Sequence, residues 1–206
     1  TALGDDLALT VNDSTGTGAG SLDWTFSSAD SAFDFLAAGE TITLSYDVTV
    51  TDEHNASSTQ SITFTVTGAN DAVVIDATGG TVSGSVAEDA SAGTETATGS
   101  FSFTDPDYND THTAGASYAS ASVNGASYHQ VGSMSAGVSV ESTNGSTGSA
   151  GWTFNVSDSD LQLLGVNDPL TEPIAVRGAD GQGGGATAEG DHTAQGTTDA
   201  GPDKLR

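Results

Sequence analysis

The 206-residue sequence contains no cysteine, so disulfides and thiolate chemistry are both excluded. Basic residues are almost as scarce. Arg177, Lys204 and Arg206 stand against 28 acidic residues, a formal net charge of −25 that repels nucleic acids and anionic membrane surfaces alike, so neither nucleic-acid binding nor membrane insertion is expected. No apolar run approaches the roughly 20 residues of a membrane-spanning helix. The opening Thr1-Ala2-Leu3-Gly4-Asp5-Asp6 does not read as a signal peptide, so targeting signals are expected elsewhere in a longer parent. Large apolar residues are few as well: Leu, Ile, Val and Phe together number 37 of 206. That falls below the roughly 20% at which a chain of this charge is suspected of disorder. With disulfides excluded, bound cations are the natural additional support, since they neutralise the repulsion and stabilise only the folded state.

What is present is a long internal repeat. Trp24-Thr25-Phe26 recurs as Trp152-Thr153-Phe154, and Gly68 with Asp71-Ala72 recurs as Gly196 with Asp199-Ala200, all at an offset of 128. Between these anchors Asp30, Leu36, Thr43, Val48, Asp52, Thr59 and Thr65 meet identical residues at Asp158, Leu164, Thr171, Val176, Asp180, Thr187 and Thr193, with no gap. Tandem units of domain size build length or valency more often than a single catalytic pocket. The reading is residues 1–72 as the end of one repeat, 73–200 as a complete repeat, and 201–206 as a tail or the start of another unit.

Periodicity points to strands. Ile42, Leu44, Tyr46, Val48 and Val50 alternate with polar residues, and Ile62, Phe64 and Val66 form a second alternating run, so the two predict an antiparallel hairpin with one buried face. Ser28 to Gly39 predicts a short helical turn capped by Ser28. In the second unit strands are expected at Val73–Ile75, Thr81–Val86, Ala97–Phe103, Ala114–Val123, Tyr128–Val131, Val138–Val140 and Trp152–Val156, punctuated by Gly, Ser and Asn turns. Many short strands at this spacing argue an all-β sandwich. Trp24 and Trp152 are both expected in the core, because each Trp-Thr-Phe triplet puts its two rings on one face. In the last hairpin the pattern decays: Glu172 replaces Leu44, Gly178 Val50, Gly190 Ile62, His192 Phe64 and Ala194 Val66. The expectation there is a frayed or missing strand.

Thr49-Val50-Thr51-Asp52, followed by Ser61-Ile62-Thr63-Phe64-Thr65-Val66-Thr67-Gly68-Ala69-Asn70-Asp71-Ala72, resembles the end of a VCBS repeat. Phe101-Ser102-Phe103-Thr104-Asp105-Pro106-Asp107 with Asp110-Thr111-His112-Thr113 resembles its opening. VCBS repeats occur in tandem in very large secreted bacterial proteins, including RTX-type adhesins. The resemblance implies a cadherin-like or Ig-like sandwich, calcium at domain junctions, extracellular or cell-surface placement, and a part in adhesion or biofilm.

The acidic segment Asp105-Pro106-Asp107-Tyr108-Asn109-Asp110 supplies the hard oxygen ligands that calcium takes, whereas magnesium is poorly suited to large all-protein cages. It is no EF-hand, because Asp110 stands where that loop needs Gly and Ala116 where it needs Glu. A cadherin-like junction fits better: the loop would lie beside the linker Asn70-Asp71 and the hairpin tip at Asp180. Glu88 and Asp89 are candidates at the opposite pole, with Asp199 and a following repeat. The alternative for all of them is a solvated acidic turn, and His112, which follows Asp110-Thr111 and could sit near the ion, is expected rather on a strand surface.

No catalytic residues are assigned. His54, His112, His129 and His192 are scattered, and neither HExxH nor a Gly-x-Ser-x-Gly elbow occurs. The function expected is a non-enzymatic, calcium-stiffened spacer of a secreted or surface adhesin. Its partners would be neighbouring repeats, with glycans, host or substratum contacted through other domains. The alternative is a carbohydrate-binding module using Tyr108, Tyr118 and Tyr128.

Overall fold

The computed structural model describes residues 6–16, 18–76, 78, 80–88, 92–162, 164–166 and 168–197. Asp89, Asp199 and the tail 201–206 therefore lie outside the described residues. The protein is all-β, with fourteen strands and one four-residue helix among the described residues.

Alternation dictates the first unit. β1 (Leu7–Asn12) pairs antiparallel with β2 (Ser21–Phe26), and β3 (Thr41–Thr51) with β4 (Ser57–Thr67). Rings from the two hairpins meet between them: Phe26 lies 4.4 Å from Phe64, and Tyr46 and Trp24 each stack on Phe64 at 6.0 Å. The expected helical turn is reduced to a 3-10 turn at Asp30–Ala32 that starts from Ala29, without a side-chain cap from Ser28.

The second unit is a two-layer sandwich. One sheet has the order β11 (Ser133–Val140), β12 (Gly148–Ser157), β7 (Thr94–Thr104), β5 (Val74–Asp76). The other runs β10 (Ala126–Tyr128), β9 (Ala121–Val123), β13 (Leu170–Ala179), β14 (Gly185–Gln195), β6 (Gly84–Ala87), with β8 (Thr113–Tyr118) also on β13. The expected run Ala114–Val123 is thus two strands, and Val131 lies beyond β10. Helix α1 (Asp158–Leu161) follows β12, with Ser157 as a true N-cap accepting from the Asp160 amide. Between the layers pack Phe101, Phe103, Trp152, Phe154, Leu170 and Val176, each at most 3% exposed.

Two expectations are corrected. The last strand is not missing: β14 spans Gly185–Gln195 and pairs with β13 at ten consecutive positions. Small residues suffice there because β12 contributes Trp152 and Phe154, which fill the space opposite, and because β6 pairs with the outer edge of β14 from His192 to Gln195. Trp24, in turn, is 46% exposed whereas Trp152 is 2% exposed. Nothing equivalent to β6 and β7 covers it among the described residues.

Both halves share geometry at the 128-residue offset. The pairs Thr43↔Thr65 and Thr171↔Thr193 occupy the same register of their hairpins. Gly68 and Gly196 face the same crowding: a Cβ on either would come within 2.2 Å of the carbonyl oxygen of Leu36 or Leu164. The hairpin tips also match. Asp52 Oδ1 accepts from the amides of His54 and Ala56 at 2.8 Å each, and Asp180 Oδ1 from those of Gln182 and Gly184 at 2.8 and 3.0 Å. Asn55 and Gly183 supply the positive φ that each tip requires, 62° and 111°.

Candidate metal centre

The centre is built where β7 ends. Past Thr104 the chain enters the acidic loop, and its first residue is fixed at once: the Asp105 amide donates to Ser142 Oγ at 2.9 Å. Asp105 Oδ1 then accepts from the Asp107 amide at 3.0 Å, folding the loop back over the end of the sandwich. From the opposite sheet comes Asp180, at the tip between β13 and β14. The linker preceding β5 contributes Asn70, whose Nδ2 donates to Asp180 Oδ2 at 3.1 Å, and Asp71, whose amide donates to Asp107 Oδ2 at 2.9 Å. Gln182 Nε2 donates to Asp110 Oδ1 at 2.9 Å, tying the loop to the tip.

Six of the eight sequence-predicted ligands are thereby brought together: Asn70, Asp71, Asp105, Asp107, Asp110 and Asp180. Asp105, Asp110 and Asp180 each offer a carboxylate oxygen within 4.8 Å of the other two, and all three are buried. This triad could hold a metal ion. Glu88 is elsewhere, past the end of β6 at the opposite pole, where its Oε2 accepts from the Thr197 amide at 2.6 Å. Asp89, its predicted companion, is outside the described residues.

Burial and hydrogen bonding argue against a solvated acidic turn. Asp107 is 0% and Asp105 1% exposed. Asn70 Oδ1, Asp107 Oδ1 and Asp110 Oδ2 are buried with no hydrogen-bond partner. A buried carboxylate or amide oxygen with nothing to accept from costs about 1–3 kcal/mol, more if charged. Three such oxygens beside one carboxylate triad could serve as donors to a hard cation. The donors are all oxygens, so the centre suits a hard cation and not a thiophilic metal.

The electrostatics fit the same account. Burial first, then the neighbouring charges of Asp105, Asp110 and Asp71, push the Asp107 carboxyl above the usual range, although the Asp71 amide opposes this. Asp71 is raised by burial and by Asp34, Asp105 and Asp30, two of which belong to the turn region of the first unit. For Asp180, burial acts upward, but hydrogen bonds from Asn70 and the Gln182, Gly184 and Gly183 amides outweigh it and lower the value.

Sequence reading missed the support around Asp105. His112 is not on the surface; it is 7% exposed, with Nε2 3.0 Å from Asp105 Oδ2 and Nδ1 2.8 Å from Glu141 Oε2. Burial depresses its pKa, but the bonds to Glu141 and Asp105 outweigh that and raise it. The ring orients Asp105, as a second-layer histidine does around bound metals. The only prior sign was the two-residue spacing from Asp110, which does not reveal Glu141.

The loop also touches the first unit. The Tyr108 amide donates to the Phe35 carbonyl at 3.2 Å, Asn109 Nδ2 donates to Glu40 Oε1 at 2.8 Å, and the Phe35 and Tyr108 rings lie 5.5 Å apart. Candidate metal ligands and inter-unit contacts thus share the six residues Asp105 to Asp110. No helix is long and apolar enough to cross a membrane among the described residues. No protein-family model matches the chain, and no curated protein matches it in sequence.

Proposed function

We propose that this chain is a calcium-stiffened, non-enzymatic spacer: tandem Ig-like or cadherin-like repeats, similar to VCBS repeats, from a secreted or surface-bound bacterial adhesin. The observation that carries this reading is the trio of buried, unpartnered oxygens of Asn70, Asp107 and Asp110 at the linker between two units whose hairpins share one register. An ion held there binds the linker, the acidic loop and the β13–β14 tip at once. It replaces carboxylate repulsion with bonds spanning the junction, and the loop in turn grips the first unit through Tyr108 and Asn109. Calcium is favoured over magnesium because a wide set of protein oxygens suits its larger, more flexible coordination. Its partners are neighbouring repeats, with adhesion carried by other domains.

The glycan-binding alternative draws less support. Tyr108, at 39% exposure, leans on Phe35, while Tyr118 and Tyr128 pack against the core, so the three make no open aromatic stripe. Calorimetric titration with calcium tests the site, and small-angle scattering with calcium or chelator tests the stiffening. Binding in the parent chain, lost in the double substitution Asp105→Ala with Asp107→Ala, is the expected result. Equal heats from both proteins would overturn the assignment, and a maximum dimension unaffected by calcium would overturn the spacer mechanism.

A further inference from the structure

Hairpin β13–β14 carries two titratable side chains where its counterpart in the first unit carries hydrocarbon. Leu44 and Phe64 face each other across β3–β4, and Glu172 and His192 hold the same register across β13–β14. Both are turned into the sandwich, at 2% and 1% exposure. The imidazole lies 3.9 Å from the Phe154 ring and edge-on to Trp152 at 6.2 Å, and neither of its nitrogens has a hydrogen-bond partner. Countercharge is lacking on every side among the described residues. β12 presents the two aromatic rings, and β6 presents Gly84, on which a Cβ would lie 3.1 Å from the imidazole. The neighbouring core positions of β14 itself are Gly190 and Ala194. β13 presents Glu172, whose Oε1 is turned to the Val131 amide at 3.0 Å, and one pair further along is Tyr118 of β8, opposite Ile174. Burial pushes the glutamate carboxyl up and the imidazole down, so each favours its neutral form.

The walls around the ring are of unequal strength. β13 pairs with β14 at ten positions, and β12 with β7 at ten. β6 pairs with β14 at only four, from His192↔Gly84 to Gln195↔Ala87, and it is the edge strand of its sheet. An imidazolium needs water or an acceptor, which this enclosure does not offer, and local opening starts where the fewest bonds hold. We propose that His192 makes residues 81–87 an acid-released strap: protonation of the ring lifts this segment off β14 while β7, β12 and β13 stay paired. Release uncovers the indole of Trp152, whose Nε1–H otherwise donates to the Thr81 carbonyl at 2.7 Å. It also frees the edge of β14 for pairing with another strand. The device depends on packing within one unit and not on calcium.

Amide exchange of the whole 206-residue chain in chelator, between about pH 7.5 and 5, tests this. Protection of Gly84–Ala87, corrected for the intrinsic pH dependence of exchange, should fall by up to about tenfold per pH unit below about 6.5, since each opening takes up one proton. Thr94–Thr104 should stay the better protected at every pH. In a Trp24→Phe background, fluorescence from Trp152 should shift to the red over the same range. His192→Phe, which installs the residue of the first unit, should abolish both changes. Histidine ring NMR of the parent needs no substitution in the core: exposed His54 should titrate normally, whereas His192 should change only as β6 loses protection. A pH-independent profile, equal loss across β6 and β7, a transition that persists in His192→Phe, or His192 titrating beside His54 with β6 intact would each overturn the proposal.

Discussion

Asp107→Asn tests the metal centre with the least disturbance, because the amide keeps the shape and the acceptor for the Asp71 amide while removing one charge. Two unit charges 4.8 Å apart, the spacing limit within the neighbouring Asp105–Asp110–Asp180 triad, would repel by about 3.5 kcal/mol at an effective dielectric constant of about 20, which sets the scale for a carboxylate packed beside that triad. Asp107 faces the carboxylates of Asp105, Asp110 and Asp71, which raise its pKa together with burial. Without metal, the substitution removes part of that repulsion and turns an unpartnered acceptor into a donor aimed at its neighbours. The metal-free protein should therefore gain stability, by about 1–2 kcal/mol, if about half of one such pair is relieved. With calcium the sign reverses. An extracellular-type site with a dissociation constant of about 10⁻⁴ to 10⁻³ M, held at about 100 times that concentration, stabilises by about 2.7 kcal/mol. In a chain of this size that is a rise of about 5–10 °C in melting temperature. If the lost ligand weakens binding tenfold, the same calcium concentration yields only about 1.4 kcal/mol. Thermal melts of both proteins with chelator and across a calcium series read both effects. A variant less stable than the parent in chelator, or one with an unchanged calcium-dependent rise, would refute the reasoning.

The two tryptophans should part company: Trp152→Ala should cost about 3–5 kcal/mol in denaturant melts, whereas Trp24→Ala should stay within about 1 kcal/mol, given its exposure. His192 is 1% exposed, has no hydrogen-bond partner on either ring nitrogen, and its pKa is depressed by burial. Since the unfolded chain takes up its proton first, stability should be full above about pH 6.5 and fall as pH drops toward the folded-state value, by up to about 1.4 kcal/mol per pH unit. His192→Phe should flatten that slope in melts run between about pH 7 and 5. Glu172 is shifted the opposite way: burial raises its pKa against the hydrogen bond from the Val131 amide. Its folded form holds a proton that the unfolded chain has lost above the ordinary glutamate value of 4.5, so stability should decline as pH rises from there to the folded-state value. Glu172→Gln, which keeps the acceptor, should be more stable than the parent at neutral pH in the same melts. A loss of stability would mean that the carboxylate is ionised and paired.

The sequence alone determined the all-β class, the 128-residue correspondence and six of the residues that gather at the candidate centre, because strand alternation, turn residues and oxygen ligands are local signals. Asp105, Asp107 and Asp110 fall within one loop, and a six-residue window is enough to see them. It could not determine what encloses a residue. Trp24 and Trp152 share an identical local triplet, yet one is open and the other buried, since cover comes from Gly84 and Gly99, some 50 to 70 residues away from Trp152. Likewise β14 lacks apolar alternation and is still a full strand, because pairing with β13 and β6 supplies what its own side chains do not. His112 was placed on the surface for the same reason: only the fold brings Glu141 and Asp105 to its two ring nitrogens. Burial and long-range pairing are properties of the neighbours a residue acquires, and those neighbours are set by the tertiary structure.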